Sequence, residues 1–178
     1  VRIITENQEF AQRLPVLFRR AFGVRFDRLP EEDVGRGKYI LQILERDKLE
    51  TIIDKLGFDP RQSAVLHINF GLLEEDCCRS AFLRGAFLTG GSVTDPGKRY
   101  HLELATSHAQ ASRELSALLR DMGYDPKDVS RGGYQVTYFK SSRQIEDLLT
   151  AMGAPLAAMA LMNAKVEKDL RNEVNRRV

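Results

Sequence analysis

This sequence predicts an α+β fold made by duplication, an α-β-β-α-β-β-α arrangement around antiparallel sheet, and three observations carry that prediction. Two stretches, VRIIT from Val1 and HLELAT from His101, alternate apolar and polar residues, as strands with one covered face do. Each is followed by a segment with apolar residues at helical spacing, then by a hairpin pattern with a glycine-bearing turn and a second amphipathic segment. Finally, the two runs can be overlaid on one another, which marks an internal repeat.

The overlay sets Thr5 on Thr106, Leu14 on Leu115, Leu17 on Leu118 and Arg19 on Arg120. Further along, Tyr39 falls on Tyr134 and, after a one-residue slip, Ile52 and Ile53 fall on Leu148 and Leu149. In this register Val1, Ile3, Leu102 and Leu104 face the core, while Arg2, Ile4, His101, Glu103 and Ala105 face the other way. Tyr39, Leu41 and Ile43 are matched with Tyr134, Val136 and Tyr138 as core residues of the hairpins, which sends Gln42, Gln135 and Thr137 outward. Leu115, Leu118 and Leu119 make a helical stripe that Gly123 ends. Pro15 lacks the N–H a helix interior needs, so the first helix is expected to kink or to start late.

The second copy carries an extra leading element, CCRSAFLRGAFLTGGSV, before the turn DPGK. The first copy has no counterpart, so its first helix is expected to be missing, with roughly 25 residues before Val1 completing the duplication. The divisions are then 1–58 for the first repeat, 59–75 for an ordered connector, 76–154 for the second repeat and 155–178 for a C-terminal helix. Val166, Leu170 and Val174 give that helix a narrow apolar seam.

With 178 residues, 43% of them hydrophobic, the chain can bury a core without covalent staples. Its 27 Lys and Arg against 25 Asp and Glu leave a formal charge of +2, so a surface for a polyanion has to be local. No apolar run approaches the roughly 20 residues of a membrane span, and no membrane partner is expected. The only cysteines, Cys77 and Cys78, are adjacent and cannot staple distant parts, which fits a reducing cytoplasm. His67, His101 and His108 are scattered, no phosphate-binding loop exists, and GRGKY lacks a glycine of the dinucleotide fingerprint; neither metal nor cofactor is expected.

On a helix Ala81, Gly85 and Thr89 lie four apart and share a face. A helical glycine costs about 0.5–1 kcal/mol, so a compensating close approach of another helix is expected there. The alternative is that Gly85 is merely tolerated while Gly90 and Gly91 end the helix, which leaves the first glycine unexplained.

LRGAFLTGGS resembles the signature helix of LAGLIDADG homing endonucleases. That resemblance implies two copies whose signature helices pack at a pseudo-twofold axis above a saddle-shaped antiparallel sheet that sits on DNA. Within the superfamily, CCRSAFLRGAFLTGGSVTDP together with DLRNEVNRRV is similar to the WhiA group of bacterial transcription regulators, linked to sporulation and cell division. The likeness covers nearly the whole chain. In the nucleases the signature ends in an acid that holds a divalent metal; with Leu83 at the first motif position, Gly90 stands where that acid belongs, and Asp95 lies past the helix end. The resemblance therefore implies a noncatalytic, DNA-binding regulator followed by a helix-turn-helix domain, acting in the cytoplasm at the nucleoid on double-stranded promoter DNA, with other regulatory proteins as further partners.

The uncovered sheet face supplies the DNA-binding candidates: Arg2, Gln42, His101, Gln135 and Thr137, with Arg28, Lys98, Arg99 and Lys140 at loop or strand ends. Glu103 on the same face, with the low net charge, gives an ordinary solvated face equal weight. A protein- or ligand-binding scaffold and an active endonuclease are the rival functions.

Overall fold

The computed structural model describes residues 1–30, 37–59, 65 and 67–176. The chain divides into two compact units, Val1–Ala64 and Val65–Val178.

In the first unit the order is β1 (Arg2–Thr5), α1 (Gln8–Phe22), β2 (Tyr39–Gln42) and α2 (Arg46–Lys55). β1 pairs antiparallel with β2, Ile3 opposite Leu41 and Arg2 opposite Gln42. On the other edge of β2 an isolated bridge joins Arg28 to Gln42, so β2 lies between two partners. Ile3 and Tyr39 pack on a core of Phe10, Ala11, Leu14, Val24, Phe26, Leu41, Ile43 and Ile52. Pro15 does not delay α1: the Asn7 side chain accepts the Phe10 N–H and starts the helix at Gln8, and proline removes only the bond its own N–H would have given the Ala11 carbonyl. Val1, expected in the core, is 45% exposed instead, and Leu17 is 51% exposed where its overlay partner Leu118 is buried.

α2 is capped from outside. Its own N-cap, Glu45, makes no side-chain cap bond, and Asp27 Oδ2 accepts the Leu44 and Glu45 N–H groups at 2.6 and 3.0 Å. Asp27 Oδ1 is paired with Lys48. The Lys48 hydrogen bond and then the two backbone donors hold the Asp27 carboxyl far below the usual carboxylate range. A carboxyl depressed on folding stabilises fully above its unfolded value, near 4, and loses that contribution as pH falls from there through the folded value. Acid titration followed by circular dichroism should therefore show the first unit weakening below about pH 4, and Asp27→Asn should flatten that limb while lowering stability at neutral pH.

The second unit runs α3 (Asp76–Gly90), β3 (Gly91–Val93), β4 (Leu102–Thr106), α4 (Ala109–Asp121), β5 (Lys127–Arg131), β6 (Tyr134–Phe139), α5 (Ser142–Ala151) and α6 (Pro155–Arg176). Its sheet is antiparallel throughout, in the order β3-β4-β6-β5. Helices cover one face of it: Leu83 from α3, Leu115 and Leu119 from α4, and Ile145, Leu148 and Leu149 from α5 meet Leu102, Leu104 and Phe139. Ala158 and Leu161 bring α6 into the same core. The sequence β4-α4-β5-β6-α5, with β6 between β4 and β5, repeats β1-α1-Arg28-β2-α2, with β2 between β1 and Arg28.

The repeat also corrects a register. Ile3 lies opposite Leu41 and Leu104 lies opposite Thr137; Leu41 is thus the counterpart of Thr137, and Ile43 that of Phe139. The slip is therefore already in place at the strand and does not follow it; the β5–β6 turn is made at Gly132 and Gly133, whose φ of +60° and +83° only glycine adopts easily. Because side chains alternate, one residue of slip turns the strand over. Thr137 and Phe139 face the core, at 0% and 2% exposure, while Tyr134, Val136 and Tyr138 face away from it. A threonine can lie there because its hydroxyl bonds Asp128 Oδ1 at 2.9 Å and Ser116 Oγ at 3.1 Å.

Of the connector, residues 60–64 and 66 lie outside the described residues, as do Arg36 of the first hairpin and Arg177 and Val178. The part described forms a short 3-10 turn at Phe70–Leu72, and the Ile68 N–H donates to Glu114 Oε2 at 2.6 Å.

Candidate nucleic-acid interface

Each sheet has one face without helices. In the first unit Arg2, Gln42 and Arg28 form a single transverse row on that face, because residues directly opposite in an antiparallel pair point the same way. Both arginines are exposed. An amide flanked by two guanidiniums combines phosphate donors with a group able to donate to and accept from a base edge.

In the second unit the open face forms a shallow trough of about 470 Å³ lined by Arg99, Tyr100, His101, Glu103, Val129, Arg131, Val136, Tyr138 and Lys140. Three of the sequence candidates, Arg99, His101 and Lys140, meet here. The His101 and Tyr138 rings lie 5.5 Å apart, and Lys140 Nζ sits 5.4 Å from the centre of the Tyr138 ring. His101 Nε2 is 3.0 Å from Glu103 Oε2, and Arg131 Nη2 is 3.2 Å from both Glu103 oxygens. The His101 hydrogen bond, then the Arg131 charge, hold the Glu103 carboxyl below its ordinary range, so it is ionised at neutral pH.

Three candidates are elsewhere. Thr137 is buried under α4, and Gln135, on the same side as Thr137, accepts from Ser130 Oγ at 2.7 Å; the register slip explains both. Lys98 sits exposed in the DPGK turn, its N–H bonded to the Asp95 carbonyl, outside the trough. Sequence reasoning missed Arg131 and Tyr138. The signal existed, since taking the one-residue slip before β6 puts both on the open face.

On α3, Ala81 and Thr89 are exposed and Gly85 half-exposed. Among the described residues, and apart from the helix's own backbone and Gly85's chain neighbours, no atom lies within 4 Å of where a Gly85 Cβ would stand. The paired glycines have a different cause. Neither has a positive φ, and Gly91 begins β3 in extended conformation. A Cβ at Gly90 would lie 2.2 Å from the Ala105 carbonyl oxygen, and one at Gly91 2.3 Å from the Phe87 ring. Gly90 is required because the end of α3 presses on β4, and Gly91 because the chain passes close over Phe87 as it enters β3; neither ends the helix by a left-handed turn.

The divalent cation of a nuclease does not fit this helix end. Gly90 offers no oxygen side chain, and Asp95 Oδ1 accepts the Gly97 N–H at 2.9 Å within its own turn. Among the described residues no three His, Cys, Asp or Glu side chains converge as ligands.

In the second unit a helix, α3, runs without a loop into the first of two strands and is followed by helix, two strands and helix; the first unit repeats this order from its β1 onward, an arrangement that is LAGLIDADG-like. Residues 79–171 match the family model of the WhiA LAGLIDADG-like domain. The chain belongs to the WhiA family. The protein described as "Probable cell division protein WhiA" of Ruminiclostridium cellulolyticum is 36% identical over 98% of this chain and 57% of its own length. Its namesake in Alkaliphilus oremlandii is 37% identical over 99% and 57%. The chain thus spans little more than half the length of these curated relatives. Among solved structures, full-length DUF199/WhiA from Thermatoga maritima superposes with a TM-score of 0.66 at 18% identity, over 98% of this chain and 56% of that one. The homing endonuclease I-DmoI, solved in complex with DNA and Mn, superposes with a TM-score of 0.58 at 16% identity, over 85% and 80%. At such identities these structures establish the fold.

Proposed function

We propose that this chain is the DNA-engaging, noncatalytic part of a WhiA-type transcription regulator of cell division and sporulation, working in the cytoplasm at the nucleoid on double-stranded promoter DNA. The observation that carries the reading is the row Arg2–Gln42–Arg28, three strand positions that place two exposed cations around an amide on an uncovered face. Arg99 and Lys140 continue the basic character in the second unit. Its relatives are named as cell division proteins, and the nuclease's acid position is a glycine with no room for a side chain, which supports a regulator over a nuclease.

Titration of a labelled random-sequence duplex checks the proposal. Binding at about 50 mM salt should weaken linearly on a log–log plot as salt rises, and Arg28→Ala should lower the slope by about 1. Plasmid incubated with Mg²⁺ should stay intact; cleavage abolished by EDTA would restore the endonuclease reading. Absence of duplex binding would favour a scaffold. One feature supports that second reading: α6 leaves Leu156, Met159, Val166, Leu170 and Val174 57–80% exposed along one helix, an apolar surface suited to a regulatory protein.

A further inference from the structure

We infer that Arg131, held by Glu103, is a guanine-reading residue of this face; the inference rests on the duplex-binding proposal above. Arg131 ends β5 opposite Tyr134, and Glu103 lies on β4 opposite Tyr138, with β6 between them. The Arg131 side chain therefore leans back from the hairpin tip, across two strands, to place its guanidinium over the middle of the sheet. Val136 lies beneath this bridge, 3% exposed although it points away from the core.

The Glu103 carboxylate is fully engaged. Oε1 meets Arg131 Nη2 at 3.2 Å and Ser92 Oγ at 3.4 Å, and Oε2 meets Arg131 Nη2 at 3.2 Å and His101 Nε2 at 3.0 Å. Two oxygens with about four acceptor sites have little capacity left for a base, so Glu103 is a positioning residue. Arg131 is different. Among the described residues its guanidinium makes no other hydrogen bond and its side chain is 67% exposed. Two carboxylate oxygens reached from the single Nη2 take one of its hydrogens between them, which leaves the other Nη2 hydrogen beside an unspent neighbour, Nε or Nη1, as a two-donor fork.

Charge decides what those hydrogens meet. A guanidinium neutralised by a carboxylate 3.2 Å away gains little from a phosphate, which that carboxylate repels. It keeps its directional donors, and the guanine O6 and N7 pair is a neutral edge that takes an arginine's two hydrogen bonds. Arg99 and Lys140, which have no ion pair among the described residues and stand at the trough's other end, are left for the phosphates.

The test uses the full chain and a duplex selected from a random library for tight binding, made with guanine or with 7-deazaguanine, which lacks N7. The wild type should lose about tenfold or more on the deaza duplex, as expected for one good bidentate base contact. Arg131→Lys and Glu103→Gln should each bind both duplexes alike, with the salt slope changed by less than 1. A uniform loss in Arg131→Ala with the slope reduced by about 1 would make Arg131 a phosphate contact and overturn the inference alone. So would a Glu103→Gln chain that binds all duplexes more tightly and still senses N7. If the wild type binds no duplex at about 50 mM salt, the duplex-binding proposal itself fails.

Discussion

Gly90→Asp, the substitution that would return an acid to the nuclease position, is expected to destabilise the second unit and to confer no Mg²⁺-dependent cleavage. The reason is steric. An added Cβ would meet the Ala105 carbonyl oxygen at 2.2 Å, with the carbonyl carbon at 3.3 Å, and both belong to the backbone of β4, the strand between β3 and β6. No side chain can swing away to relieve the contact; either α3 or β4 has to move. Overpacking of this kind costs about 1–3 kcal/mol, and Gly90→Ala, which adds only the offending carbon, should show most of it. Urea denaturation of the full chain measures the loss, and a plasmid assay beside it checks for cleavage. Unchanged stability in Gly90→Ala would mean that α3 does not press on β4 as described.

Phe139→Ala is expected to be more costly, about 3–5 kcal/mol. Phe139 is 2% exposed, lies opposite Leu102, and meets Tyr124 edge-on at 6.2 Å between ring centres. It belongs to a buried cluster to which α3, α4, α5 and α6 all contribute side chains, so removing its ring leaves a large cavity inside a packed core. Urea unfolding followed through the tyrosine signal should show the midpoint falling sharply. Tyr134→Ala, on the same strand but 54% exposed, should stay within about 0.5 kcal/mol of wild type and serves as the control.

These two residues also mark where the sequence was legible. The duplication, the order of strands and helices and the core of the first unit follow from periodicity, because Ile3, Leu41 and Ile43 are apolar where the chain turns inward. In β6 the strand YQVTYF has apolar residues on both faces, so polarity alone chose the wrong one: it placed Thr137 outside and Tyr138 inside. What reverses that choice is tertiary. Ser116 on α4 and Asp128 on β5 satisfy the Thr137 hydroxyl, and neither is near it in sequence. The same slip hid Arg131 and Tyr138 from the candidate interface and admitted Gln135. The glycine pair was legible as unusual, but its cause was not, since the carbonyl that Gly90 accommodates lies on the next strand.

The halves share a topology yet no longer share a surface. At matching strand positions the first unit carries Arg2, Gln42 and Arg28, and the second carries Glu103, Tyr138 and Lys127. One trio has a formal charge of +2 and the other is neutral. Repetition has preserved the backbone and not the chemistry, so what suits one open face should not suit the other.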